Sequence, residues 1–247
     1  VPGPIRWVVD PGIGRGGRYG AGVNEEATGP VWCVVVAAGR GSRFGGPKQQ
    51  AILAGRTVLE RSVATAGAAC DGVVVVVPAD WSDRVDGADR VVVGGATRSA
   101  SVASGLDAVP ADAAVVLVHD AARPLASPEL YRRVIEAVRS GADAVVPVVA
   151  VTDTIRHLDG GTVDRDLLRA VQTPQGFRAG TLRAAHRAGA DATDDAALVE
   201  AVGGSVELVD GERTNLKITE PSDLDVASAL LGSARSGGDT DGPPGGD

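Results

Sequence analysis

A chain of 247 residues with 44% hydrophobic content can bury a substantial core as one large α/β domain, or as one domain with an appendage. With only 3% aromatic residues that core must be valine, alanine and leucine, and the net charge of -8 argues against a nucleic-acid partner, whose phosphates call for a basic face. No apolar run reaches the roughly 18 residues of a membrane helix, and the N-terminus lacks a secretory signal, so a cytoplasmic protein without a membrane partner is expected.

Residues 1 to 30 are rich in glycine and proline without a sustained apolar period, and read as a disordered leader. Gly12, Gly14 and Gly17 satisfy the dinucleotide spacing G-x-G-x-x-G, yet no amphipathic helix follows on which a pyrophosphate would rest, so no function is assigned to them. Val31 to Val36 then form an uncharged β-branched run, the pattern of a strand buried on both faces of a parallel sheet. It empties into a loop with Gly39, Gly41, Gly45 and Gly46, where the backbone can approach an anion closely and turn its N–H groups toward it. The loop ends in Pro47-Lys48-Gln49, which excludes a P-loop, and Phe44 stands where a dinucleotide fingerprint needs glycine. A third kind of nucleotide loop remains.

Further along, Thr57 to Ala69 carries Leu59, Val63 and Ala66 at helical spacing, and Gly72 to Val77 is a second apolar strand. Val91 to Val93 reads as a short third strand, after which Gly94-Gly95-Ala96-Thr97-Arg98 opens a helix. Ala114 to Val118 delivers His119, Asp120 and Arg123 at a strand's carboxyl end, where open α/β sheets place their sites. Ser127-Pro128-Glu129 reads as an N-cap, a first-turn proline and a carboxylate favoured by the helix dipole.

From about 145 to 167 the pattern changes to two extended segments around Asp159-Gly160-Gly161, read as an inserted β-hairpin. An isolated ribbon is marginal in water, so it is expected to pack on a second subunit as the arm of a homodimer. Helices near 180–188 and 194–202, a strand at 205–208 and a helix at 222–231 complete a domain spanning 31 to 231. Residues 232 to 247 read as a disordered tail. Alternating strands and helices imply a doubly wound, mostly parallel three-layer sheet of Rossmann-like kind.

The arginine-to-lysine balance singles out two positions. Of 24 basic residues only Lys48 and Lys217 are lysine, which suggests that lysine persists where a compact ammonium is required. Cys33 and Cys70 show neither metal spacing nor a disulfide framework, and read as packing residues; the three histidines show no metal-ligand spacing either.

Several separated motifs occur in register: the Ala37-Ala38-Gly39-x-Gly41-x-Arg43 loop with Pro47-Lys48-Gln49, Gly94-Gly95-x-x-Arg98-x-x-Ser101, His119-Asp120-Ala121-Ala122-Arg123-Pro124, Asp153-Thr154, Asp164-Arg165, Thr173-Pro174-Gln175, Thr193-Asp194-Asp195 and Asn215-Leu216-Lys217. Together they resemble the polyol phosphate cytidylyltransferases from Val31 to about Leu231. The resemblance implies a Rossmann-like nucleotidyltransferase with a hairpin dimerisation arm, acting on CTP and a polyol phosphate, with methylerythritol phosphate ahead of ribitol 5-phosphate as acceptor. It further implies that Arg43 and Lys48 stabilise the transition state while Lys217 and Arg165 hold the attacking phosphate. By the same resemblance Ala37, Ala38, Gly39 and Gly41 face the ribose and phosphates, and Gly95, Ala96 and Ser101 the cytosine. Asp120, Arg123, Thr154, Thr173 and Thr193 correspond to positions around the polyol, and Asp120 to a contact with Mg²⁺, direct or through water. A silent nucleotide-binding regulator on the same fold is the alternative from another class, and retention of all four cationic residues weighs against it.

Overall fold

The valine runs build the centre of one sheet. In the computed structural model, which describes residues 28–39, 41–189 and 194–236, strand β1 (Val31–Val36) lies between β2 (Gly72–Val77) and β4 (Val115–Asp120), with β3 (Arg90–Val93) at the edge beyond β2. All four are parallel. Within β1 the side chains alternate between two cores. Cys33 and Val35 pack with Leu59, Val63 and Ala66 of α1 (Val58–Ala69) and with Leu130, Val134 and Val138 of α3 (Pro128–Arg139). Val34 belongs to the core on the opposite face, which also holds Val102 and Leu106 of α2 (Arg98–Ala108), Leu182 of α4 (Ala179–Arg187) and Val199 of α5 (Asp195–Ala201). Each fully buried valine contributes about 1.5–3 kcal/mol, which is how a core almost without aromatics holds three layers together.

The other half of the sheet is mixed. Strand β5 (Ala144–Ala150) pairs in parallel with β8 (Val206–Asp210) on one side. On its other side run β6 (Arg169–Val171) and β7 (Gln175–Arg178), both antiparallel, and β7 also pairs antiparallel with β4. Val148 opposes Val171, and Val145 opposes Gly176. Five steps along β6–β7 thus face three along β5, so two extra residues bulge out around Gln172–Pro174 and re-aim the chain. The spatial order is β8, β5, β6/β7, β4, β1, β2, β3, a mostly parallel doubly wound sheet.

Side chains cap the starts of four helices, at α3 through the expected Ser127. Thr57 and Glu60 form a capping box on α1, and the Ser127 hydroxyl accepts from Leu130 N at 3.1 Å at the start of α3. At α5 the cap is Asp194, whose carboxylate accepts from Ala197 N at 3.0 Å; Thr193 lies outside the described residues. The leader with its glycine motif (1–27) and the end of the tail (237–247) lie outside them too. Helix α6 (Ser222–Ser236) continues past the expected end at 231 and seals a small third core of Leu53, Val58, Ile218 and Ala227. Among the described residues no helix is long and apolar enough to cross a membrane.

The hairpin is shorter than its sequence suggests. Ala144, Val145 and Val146 are buried in the main sheet, and only Ile155–Arg156 and Thr162–Val163 pair as a ribbon, around Gly160 and Gly161 at φ of 114° and 83°. An uncharged run that can be covered on both faces belongs in a sheet centre, whereas a two-stranded ribbon covers neither face.

Candidate active site

The carboxyl ends of β1 and β4 open into a cleft of about 600 Å³, lined by Ala38, Gly39, Lys48, Gly95, Ala96, Ser101, Asp120 and Lys217 among others. These eight are sequence candidates. The chain's two lysines meet there although 169 residues separate them (217 less 48).

Each wall has its own support. In the glycine loop, Gly41 has φ of +63°, and a Cβ there would come within 2.1 Å of the Gly46 carbonyl oxygen, so no other residue fits. Its own carbonyl accepts from Phe44 N and Gly45 N, closing the turn that precedes Lys48. Ala37 lies beneath the cleft with its N–H on Val76 O. On the opposite wall a Cβ at Gly94 would sit 2.6 Å from that of Ala38 and 2.7 Å from Ser101 Oγ. The close approach that glycine permits there is therefore between two walls of the protein. Ser101 donates to Thr97 O at 2.9 Å.

Lys48 Nζ donates to Ile218 O at 2.8 Å. Burial, and then the neighbouring Lys217 ammonium, hold its pKa below the usual lysine value, with exposed Arg43 a further cation pressing the same way. Lys217 is delivered by a braced loop. Ile218 N–H donates to Ala122 O, Arg123 Nη1 donates to Asn215 O at 2.7 Å, and the Asn215 amide donates to Thr173 O at 2.9 Å. The Gln172 amide joins in, donating to Glu212 O and accepting from Glu212 N.

Asp120 faces both cationic walls. Its Oδ2 takes Lys217 Nζ at 2.6 Å and its Oδ1 lies 3.5 Å from Arg98 Nε. Burial alone would raise its pKa, but the Lys217 ammonium and the Arg98 guanidinium overcome that and hold the carboxyl at about 2. Arg98 in turn reaches Asp195 at 2.7 Å, a buried carboxylate that also meets His186 Nε2 at 3.0 Å. The charges thus run from Lys217 through Asp120 and Arg98 to the start of α5.

Behind Asp120 sits His119, fully buried. Its Nε2 faces the Arg123 carbonyl at 3.2 Å, which can only accept, so Nε2 carries the proton and Nδ1 accepts from the Thr173 hydroxyl at 3.2 Å. The same hydroxyl oxygen accepts from Asp120 N at 3.0 Å. Burial keeps this imidazole neutral, with its pKa lowered to about 4. An unfolded histidine binds a proton near pH 6.5, so between about 6.5 and 4 the unfolded chain holds more protons and stability falls as pH falls, by on the order of 3 kcal/mol in full. Asp120 extends the loss below about 3.8, where the unfolded carboxyl protonates first. Urea unfolding at pH 7 and pH 4.5 should show most of this loss in the parent and a clearly smaller one in His119→Gln. An equal loss in the variant would place the acid sensitivity elsewhere.

Other candidates are not on the cleft lining. Both terminal nitrogens of Arg123 are committed to the carbonyls of Asn215 and Val171, and Thr173 serves His119 and Asp120. Exposed Arg165 and Thr154 flank the ribbon, with Arg165 Nη1 on Thr152 O at 2.5 Å. Gln49, His119, Gln172, Asp195 and Asn215 support the site without having been assigned a role. Gln49, His119, Asp195 and Asn215 stood in the motifs, but burial, the sign that a polar side chain is holding something, is invisible in sequence.

A doubly wound sheet with a glycine-rich, lysine-bearing cleft at its strand ends defines a nucleotide-dependent transferase class. A family model described as 2-C-methyl-D-erythritol 4-phosphate cytidylyltransferase matches residues 31–233. The chain belongs to that family. It is 48% identical over 221 residues to the 2-C-methyl-D-erythritol 4-phosphate cytidylyltransferase of Rhodococcus jostii, covering 83% of this chain and 97% of the relative. To that of Nocardia farcinica it is 45% identical, covering 84% and 96%. The crystal structure of the Thermus thermophilus enzyme of the same name superposes with a TM-score of 0.71 at 42% identity, covering 80% of this chain and 97% of that one.

Proposed function

We propose that this chain transfers the cytidylyl group of CTP to 2-C-methyl-D-erythritol 4-phosphate, releasing pyrophosphate, in the non-mevalonate route to isoprenoid precursors. A phosphate oxygen of the polyol attacks the α-phosphorus of CTP, the new P–O bond forms, and the bond to the β-phosphate oxygen breaks. The phosphate monoester is already anionic near neutral pH, so alignment and charge stabilisation do most of the work. The observation that carries the reading is the convergence of Lys48, Lys217 and Asp120 in one glycine-walled cleft.

In this reading Lys48 and Arg43 stabilise the charge that builds at the α-phosphorus. Lys217 leaves Asp120 to hold the attacking phosphate. Ala38 and Gly39 face the triphosphate and ribose, and Gly95, Ala96 and Ser101 the base, with Ala37 and Gly41 shaping the loop. The polyol lies beside Asp120, within a frame held by Arg123 and Thr173. Among the described residues no three carboxylate, histidine or cysteine side chains stand together as a metal cage, and Asp120 is the one carboxylate on the cleft lining. That donor set fits a Mg²⁺ ion that would arrive on the triphosphate and meet Asp120 directly or through water. Bound there, the ion would offset triphosphate charge.

The arm supports a homodimer in which Arg165 completes the partner's site. Leu158 and Leu167 are fully or largely exposed on and beside the ribbon, and Ile155 is partly exposed. Apolar groups of this kind on a marginal ribbon are what a second subunit would cover.

Incubation with CTP, Mg²⁺ and each polyol phosphate in turn should give a CDP-alcohol and pyrophosphate, fastest with methylerythritol phosphate and abolished by excess chelator. Equal or faster turnover with ribitol 5-phosphate would reassign the acceptor. Undiminished turnover in chelator would remove the metal.

A further inference from the structure

Gln49 lines the cleft next to Lys48. It follows Lys48 in a single 3-10 turn, Lys48–Gln50, and is 3% exposed. Its side-chain nitrogen lies 2.5 Å from Ala37 O and 2.6 Å from Gly39 O. A primary amide has two hydrogens, and here each goes to a carbonyl of the glycine loop, ten and twelve residues back.

The consequence lies in the peptide planes. In a trans peptide the carbonyl and the following N–H point in opposite directions, so the bond that draws Ala37 O toward Gln49 turns Ala38 N–H away from it. Among the described residues no group accepts from Ala38 N–H, although Ala38 lines the cleft. Were either carbonyl released, its peptide would be free to rotate and present an oxygen to an incoming phosphate in place of a donor.

We propose that Gln49 is a positioning residue for the nucleotide phosphates: it takes up the Ala37 and Gly39 carbonyls so that the loop offers a donor, and no acceptor, to an anion. The proposal rests on the nucleotide reading of this cleft. It predicts a defect confined to CTP. Gln49→Glu keeps the shape but replaces both donors with acceptors facing two carbonyls, and Gln49→Ala removes them with room for water.

Calorimetric titration of CTP into the parent comes first. A parent that does not bind CTP would sink the nucleotide reading itself. With binding established, KM for CTP should rise about tenfold to a hundredfold in both variants, the range expected when buried carbonyls lose their donors. KM for the polyol phosphate should stay within twofold. If either folded variant keeps the parent's KM for CTP, or if both KM values rise together, Gln49 is only a structural brace and the proposal fails. Should Gln49→Glu not fold, Gln49→Ala decides the question by the same two constants.

Discussion

Lys48→Arg should lower kcat/KM by about tenfold to a thousandfold while leaving the fold intact, the range for losing a contact made in the transition state. The charge is conserved, so the loss has to come from shape. Lys48 Nζ sits 2.8 Å from Ile218 O, beside a second ammonium on Lys217 and just after the turn closed on the Gly41 carbonyl. A guanidinium is longer and planar, and its charge is spread over three nitrogens, so it cannot put a compact cation at that point. Everywhere outside the two lysine positions the chain uses arginine for its basic residues, 22 times in all (24 less 2). The two exceptions meet in the cleft. The variant should also alter the alkaline limb of the pH–rate profile. Lys48 loses its proton at a lower pH than an ordinary lysine because it is buried beside Lys217, whereas arginine keeps its charge throughout. A variant with parental kcat/KM would reduce the lysine pattern to chance.

The sheet's first half could be read directly from the chain. Val31–Val36, Gly72–Val77 and Val115–Asp120 are runs in which every residue can be covered, and such runs have only one comfortable place. The second half was not legible because its signals conflict. Gln175–Arg178 reads as polar with a single aromatic, and nothing in it announces a strand inserted antiparallel between β4 and β5. Gly176 is demanded by tertiary packing, since a Cβ there would meet Val134 Cγ1 at 2.5 Å. Thr173-Pro174-Gln175 carried a family signature for a substrate pocket, and the structure shows the same residues joining two strands and anchoring His119. The site divides similarly. Lys48, Lys217 and Asp120 stood out by type and position, whereas Asp195 was one of two adjacent carboxylates until Arg98 and His186, 97 and 9 residues away, closed around it. Sequence records which groups are present, and burial decides which of them are spent on each other.

Mixing two inactive variants should restore about a quarter of the parent's active sites. In the proposed homodimer Lys48 acts in the cleft of its own subunit, while Arg165 stands beside an arm that leaves the domain and enters the partner's cleft. Within one chain Arg165 is exposed, donates to Thr152 O and is not on the lining of its own cleft. Lys48→Ala and Arg165→Ala homodimers therefore each lack one necessary cation at every site. In a mixed dimer one cleft receives an intact loop from the first chain and an intact arm from the second, while the other cleft lacks both. Random exchange makes about half of the dimers mixed, each with one good site of two, which gives the quarter. The measurement is CDP-alcohol formation after equal amounts of the two proteins have exchanged subunits, with exchange itself followed by native mass spectrometry. If Arg165 served its own chain, every cleft would still lack one cation after complete exchange, and activity would remain at the background of the separate variants.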